Sequence, residues 1–143
     1  MFCKILVPVD FTEKNEPALA AALQTAANPD PGQRGEVELL HVIETIEHIG
    51  FEEMASFYRG LETRAAAKLF SLEDRFKEAG IAVHHEILYG KRAETIVRHA
   101  EEWGADLIVL SSHKVDREHP ALGWGTISYR IAIVVRCPVL LVK

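Results

Sequence analysis

The chain has 143 residues, 48% of them apolar and 26% charged. That length fits one domain at roughly 100–200 residues each, and the composition excludes wholesale disorder and fibrous repeats. Sixteen basic and twenty-one acidic residues leave a net charge of −5, so no overall field draws nucleic acid or an anionic membrane. The longest uncharged apolar runs, Leu107 to Leu110 and Pro138 to Val142, fall far short of the roughly 20 residues a membrane-spanning helix needs. Met1-Phe-Cys-Lys-Ile5 enters a strand-like run without the layout of a signal peptide. The expectation is a cytoplasmic protein, with no membrane and no nucleic acid among its partners.

Lys4 to Asp10 is a β-branched run ending in a carboxylate and reads as a buried first strand. Thr12 and Asn15 are capping candidates, and Pro17 suits a first helical turn. Ala18 to Ala27 is rich in strong helix formers and stops at the turn cluster Asn28-Pro-Asp-Pro-Gly32. Glu36 to Ile43 is the second strand. After a polar stretch, Met54, Phe57, Tyr58, Leu61, Ala65, Leu69, Leu72 and Phe76 step by three or four, which marks a long amphipathic helix ended by Ala79-Gly80.

Ile81 to Leu88 is a third strand, and its lower apolar content suits a sheet edge. Ala93, Ile96, Val97 and Ala100 mark the next helix, closed at Gly104. Asp106 to Ser111 is the fourth strand, Thr126 to Val135 a short last helix, and Pro138 to Val142 the fifth strand. Apolar strands alternating with helices predict a parallel sheet covered on both faces. Right-handed crossovers favour a doubly wound order.

In such a sheet ligands bind beyond the carboxyl ends of the strands, where the winding reverses. Asp10, Val42 and the run Ser111-Ser-His-Lys114 leave the strands there, and Thr126-Ile-Ser128 opens a helix whose amides and hydroxyls suit a phosphate. His113 leaves the fourth strand at the same edge. The P-loop and dinucleotide glycine fingerprints are absent. Asp10 has two compatible readings: it holds Mg²⁺ through its carboxylate, or it accepts amides from the turn that follows.

Adjacent residues on a strand face opposite sides, so His84 and His85 cannot share a metal. His113, Asp116 and His119 share one loop without ligand spacing. His41 reads as a core or sheet-face residue, Trp103 as local packing beside Gly104, and Trp124 as a shield for the following helix start. Cys3 and Cys137 read as small, half-buried side chains without a Cys-x-x-Cys pattern. No nucleophile has a partner base in a local motif.

Six segments, in order, resemble the universal stress protein family over nearly the whole chain: Ile5-Leu-Val-Pro-Val-Asp-Phe-Thr12, Leu39-Leu-His-Val-Ile43, Gly90-Lys-Arg-Ala-Glu-Thr-Ile-Val97, Ala105-Asp-Leu-Ile-Val-Leu110, Gly125-Thr-Ile-Ser128 and Cys137-Pro-Val-Leu-Leu-Val142. The resemblance implies a single domain over 1–143. It implies an α/β fold with a doubly wound five-stranded parallel sheet of order 3-2-1-4-5 and helices on both faces, like the adenine nucleotide alpha hydrolases. It also implies a homodimer through Val139, Leu140, Leu141 and Val142 of the last strand.

The family resemblance further implies an adenine nucleotide, ATP or AMP, as a regulatory ligand, with Mg²⁺ on Asp10 through the nucleotide. Pro8, Val9, Asp10, Val42, Gly125, Thr126 and Ser128 match nucleotide positions, and Ser111, His113, Lys114 and Ile127 border them. The family's Gly-x-x-Gly-x₉-Gly-Ser/Thr signature is altered here: Ser111 and Lys114 replace its first two glycines, and ten residues separate Lys114 from Gly125. Side chains at such positions change how closely backbone can approach phosphate. The alternative is therefore a dimeric interaction module with an eroded loop and no nucleotide, and slow ATP hydrolysis is the most catalysis expected. In the implied order the fourth strand would separate Cys3 from Cys137 by two strand spacings, about 9.6 Å, beyond the roughly 7 Å reach of a disulfide.

Overall fold

Continuous β-branched and leucine runs need apolar cover on both sides, and in the computed structural model each of them is a sheet strand. The structure describes residues 2–27, 32, 35–112, 118 and 126–143. The strands are β1 (Lys4–Pro8), β2 (Glu36–Ile43), β3 (Ala82–Tyr89), β4 (Leu107–Ser111) and β5 (Val139–Val142). Between them lie α1 (Asn15–Ala27), a 3-10 turn at Glu52–Met54 leading into α2 (Ala55–Glu78), α3 (Arg92–Trp103) and α4 (Ile127–Val134). All pairings are parallel, and the order is β3-β2-β1-β4-β5.

Alternate residues of each strand feed two cores. Ile5, Val7, Leu39 and Val109 pack with Ala18, Leu19 and Ala22 of α1 and Leu69 and Phe76 of α2. Leu6, Leu40, Ile108 and Leu110 pack with Ala93, Ile96 and Ala100 of α3 and Ile131 of α4. β3 carries no fully buried residue, in keeping with its place at the sheet edge. No disulfide joins Cys3 and Cys137. Among the described residues, no helix is long and apolar enough to cross a membrane.

Two boundaries bear on the site, and the second differs from the sequence reading. α1 starts at Asn15, with Pro17 in its first turn as its sequence suits, where the missing N–H costs nothing. β1 ends at Pro8 and not at Asp10, and that shortening opens the sheet. Val9 donates its N–H to the Leu40 carbonyl on the β2 side (2.8 Å). Successive backbone amides point to opposite sides, so the Pro8 nitrogen faces β4, where it has no hydrogen to give. The β1–β4 register accordingly runs only over Ile5↔Leu107 and Leu6↔Ile108, whereas β1–β2 continues to Pro8↔Leu40.

Candidate functional site

Where β1 and β4 part, the winding of the sheet reverses, and a cavity of about 380 Å³ opens there. Its walls come from five places: Pro8, Val9 and Asp10 after β1, Lys14 and Asn15 at the start of α1, Leu40 and Val42 on β2, Arg92 and Ile96 on α3, and the group Leu110, Ser111, Ser112, Thr126, Ile127 and Ser128 around the end of β4 and the start of α4. Of the eleven residues singled out from sequence, Pro8, Val9, Asp10, Val42, Ser111, Thr126, Ile127 and Ser128 meet on this one cavity. His113, Lys114 and Gly125 lie outside the described residues, as do Asp116, His119 and Trp124.

The floor of the cavity is apolar, from Val9, Leu40, Val42, Ile96 and Leu110. Its rim carries hydroxyls. Ser128 Oγ donates to Ser112 Oγ at 3.4 Å, and Thr126 Oγ1 stands 3.3 Å from Ser128 Oγ. Thr126 is the N-cap of α4, with extended backbone and no side-chain capping bond. The Thr126 side chain therefore does not take up the first amides of α4, groups that helix starts offer to anions.

Asp10 does what its turn reading required. Its Oδ1 accepts from the Thr12 amide at 3.0 Å and the Thr12 hydroxyl at 2.7 Å. Burial pushes its carboxyl upward, but the two Thr12 bonds and the charge of Arg92 outweigh that and hold it below the ordinary carboxylate range. A carboxylate has about four acceptor sites, so capacity remains for a hydroxyl or a cation. Among the described residues, no group of three His, Cys, Asp or Glu is arranged to hold a metal by itself. A divalent ion here would need oxygens from the ligand, as Mg²⁺ on a nucleotide has.

Phe11, next in the chain, has φ +64°, a conformation rare for a bulky residue and costing about 1–2 kcal/mol. Its ring lies on His41 at 4.4 Å, with the Lys68 ammonium 5.1 Å from its centre. His41 points its Nδ1 at the Val9 carbonyl, 2.8 Å away. That partner can only accept, so Nδ1 carries the hydrogen. The chain is thus turned sharply out of β1 and fixed at Val9, beside the cavity.

Burial lowers the His41 pKa from its usual 6.5, and the charges of Arg92 and Lys68 act in the same direction against the Val9 bond and Asp10. The unfolded chain takes up a proton near pH 6.5 that the folded chain refuses until lower pH. Stability from the neutral ring is complete above about pH 6.5 and is lost as the pH falls below it. His41→Gln is therefore expected to lose less melting temperature than the natural chain between about pH 7 and pH 5. Equal losses in the two proteins would contradict this assignment.

Lys14, Asn15, Arg92 and Ile96 line the cavity without having been singled out as binding residues. Arg92 stands within the segment Gly90–Val97, and local pattern marks Asn15 only as a capping candidate. Fold topology brings them in: α1 and α3 lie on opposite faces of the sheet, so each reaches the same edge from its own side. Arg92 makes one long contact, 3.9 Å to the Glu44 carboxylate, between half-exposed side chains, a pair worth little by itself. Lys14 and Arg92 thus bring positive charge to this edge.

The molecule is thus an open, doubly wound α/β protein with an apolar-floored, hydroxyl-rimmed cleft at its switch point. Comparison with known proteins is consistent throughout. The model of the universal stress protein family matches residues 1–143, and the chain belongs to that family. Universal stress protein MJ0531 of Methanocaldococcus jannaschii is 29% identical over 147 residues, spanning 100% of this chain and 83% of that protein. The solved structure of MJ0577, described as a structure-based assignment of biochemical function, superposes with a TM-score of 0.83 at 30% identity, covering 100% of this chain and 96% of that one. Two more distant structures share the fold: a universal stress protein in complex with cAMP (TM-score 0.69, 21% identity, 99% and 97% covered) and an Arabidopsis thaliana family member with AMP bound (0.70, 19%, 99% and 91%).

Proposed function

We propose that this chain is a single-domain, cytoplasmic stress-response protein that binds an adenine nucleotide, ATP or AMP, as a regulatory ligand and acts as a homodimer. The observation that carries the reading is the cleft at the switch point, where an apolar floor adjoins a hydroxyl-bearing helix start and two cations. The fold-level relatives crystallised with cAMP and AMP support the same ligand class.

In this reading Val9, Val42 and neighbouring backbone take the adenine and ribose. Thr126, Ser128 and the amides of Ile127 and Gly125 take phosphates, with His113, Lys114, Lys14 and Arg92 supplying donors and charge. Asp10 takes a ribose hydroxyl or, through the nucleotide, Mg²⁺. Asp10 is the one acid among the described residues of the cleft wall, and its lowered pKa makes it a poor general base at neutral pH. Slow ATP hydrolysis is accordingly the most turnover we assign.

For the dimer, the supporting observation is the open edge of β5 with Leu140 exposed on it, which strand pairing across a two-fold axis would cover. The nucleotide-free module is the second reading. It is favoured by Ser111, which stands where the family signature has glycine and whose hydroxyl is already engaged by Asn15.

Calorimetric titration of the full chain with Mg-ATP and with AMP separates the two readings. Saturable binding at one site per chain is expected. The absence of both heat and thermal stabilisation at millimolar nucleotide would leave the interaction module standing.

A further inference from the structure

The opening between β1 and β4 leaves one backbone donor to account for. The amide of Asp10 has the same parity as the Pro8 nitrogen and faces the side from which β4 has withdrawn. In an unbroken sheet it would go to a β4 carbonyl. Here it donates to Asn15 Oδ1 at 2.9 Å, while Asn15 Nδ2 donates to Ser111 Oγ at 2.9 Å. Asn15 is the first residue of α1, is 4% exposed, and forms part of the cleft wall. Its carboxamide has the acceptor and donors of a peptide group and stands where the missing ladder peptide would be.

We propose that Asn15 is the positioning residue of the cleft: its carboxamide replaces the lost β1–β4 pairing, sets the spacing between Asp10 and Ser111, and does so without charge, so that the cleft remains open to an anionic ligand. Aspartate has the same shape and would also accept from the Asp10 amide, and the Ser111 hydroxyl can rotate to donate to it. That substitution would keep the tie but place a second carboxylate beside Asp10. Alanine would remove the tie and leave a buried amide without its partner. The two substitutions therefore separate the two roles: alanine removes the tie without adding charge, and aspartate keeps the tie while adding charge.

The inference concerns the same cleft as the nucleotide reading and takes ATP as its probe. The experiment compares the natural chain with Asn15→Ala and Asn15→Asp by amide hydrogen exchange without ligand and by Mg-ATP titration. Asn15→Ala is expected to lose exchange protection at the Asp10 amide and to weaken ATP binding by about tenfold or more. Asn15→Asp is expected to keep that protection, to lower the melting temperature because a buried carboxylate beside Asp10 is costly, and to weaken ATP binding by about tenfold or more through charge repulsion. Natural affinity in either variant, or a protected Asp10 amide in Asn15→Ala, would overturn the proposal. Should the natural chain bind no ATP, the nucleotide reading falls with the anion half of the proposal, and the exchange data still decide the tie.

Discussion

Replacing Glu38 by alanine is expected to destabilise the protein by about 3–5 kcal/mol, because two imidazoles lose their shared acceptor at about 1–3 kcal/mol each. Glu38 lies on β2, is 1% exposed, and is among the largest fully buried side chains. One carboxylate oxygen meets His84 Nε2 from β3 at 2.6 Å, and the other meets His99 Nε2 from α3. The cluster thus fastens α3, one wall of the cleft, to two strands. Alanine leaves His99, whose side chain is 15% exposed, without an acceptor inside a packed layer.

Glutamine should cost much less, because its amide can accept from one imidazole and donate to the other. Denaturant unfolding of Glu38→Ala, Glu38→Gln, His99→Ala and the Glu38→Ala/His99→Ala double variant checks this. The double variant should lose clearly less than the sum of its parts. Additive losses, or an alanine variant within 1 kcal/mol of the natural chain, would contradict the clasp.

Phe76→Ala is the second large effect, also about 3–5 kcal/mol. Phe76 is 0% exposed in the last turn of α2 and packs in the core with Leu69, Val37, Leu39 and Ile81. Its carbonyl also accepts from the Ile81 amide at 2.9 Å, which brings the chain from α2 into β3. Truncation would remove the transfer energy of the ring and leave a cavity that this close-packed face cannot collapse to fill. Phe76→Leu, which keeps most of the volume, should cost under about 1.5 kcal/mol. With a total stability of about 5–15 kcal/mol expected for such a chain, the alanine variant should show a much lower unfolding midpoint. A midpoint like that of Phe76→Leu would mean that α2 is not anchored there.

Most of the fold was legible because apolar strands and amphipathic helices carry their period in the residues themselves. Leu69 and Phe76 fell on the inward face of α2 as their spacing required, and the polar β3 fell at an edge. The sequence also showed that His84 and His85 face opposite sides. Their partners could not be read, since Glu38 and Glu73 stand 46 and 12 residues away and are brought near only by strand pairing and by α2.

The cleft divides in the same way. Pro8, Val9, Asp10 and Thr126-Ile-Ser128 sit at strand and helix ends that local pattern marks. Asn15 and Arg92 take on roles there because two crossovers carry α1 and α3 to one sheet edge from opposite faces. Local pattern gave Asn15 a capping role. Its actual bonds, to Asp10 and to Ser111 across 96 residues, depend on the break in the ladder at Pro8.

The central claim is that the switch-point cleft receives an adenine nucleotide. Following the amide resonances of the isotopically labelled chain during titration with Mg-ATP tests it most directly. The account predicts saturable shifts grouped at Val9, Asp10, Asn15, Val42, Ser111, Ser112 and Ile127-Ser128, with Leu69 and Phe76 in the opposite core unmoved. Shifts confined to another surface, such as the cavity between Glu101, Gly104 and Cys137, or no shifts at millimolar ATP, would contradict it.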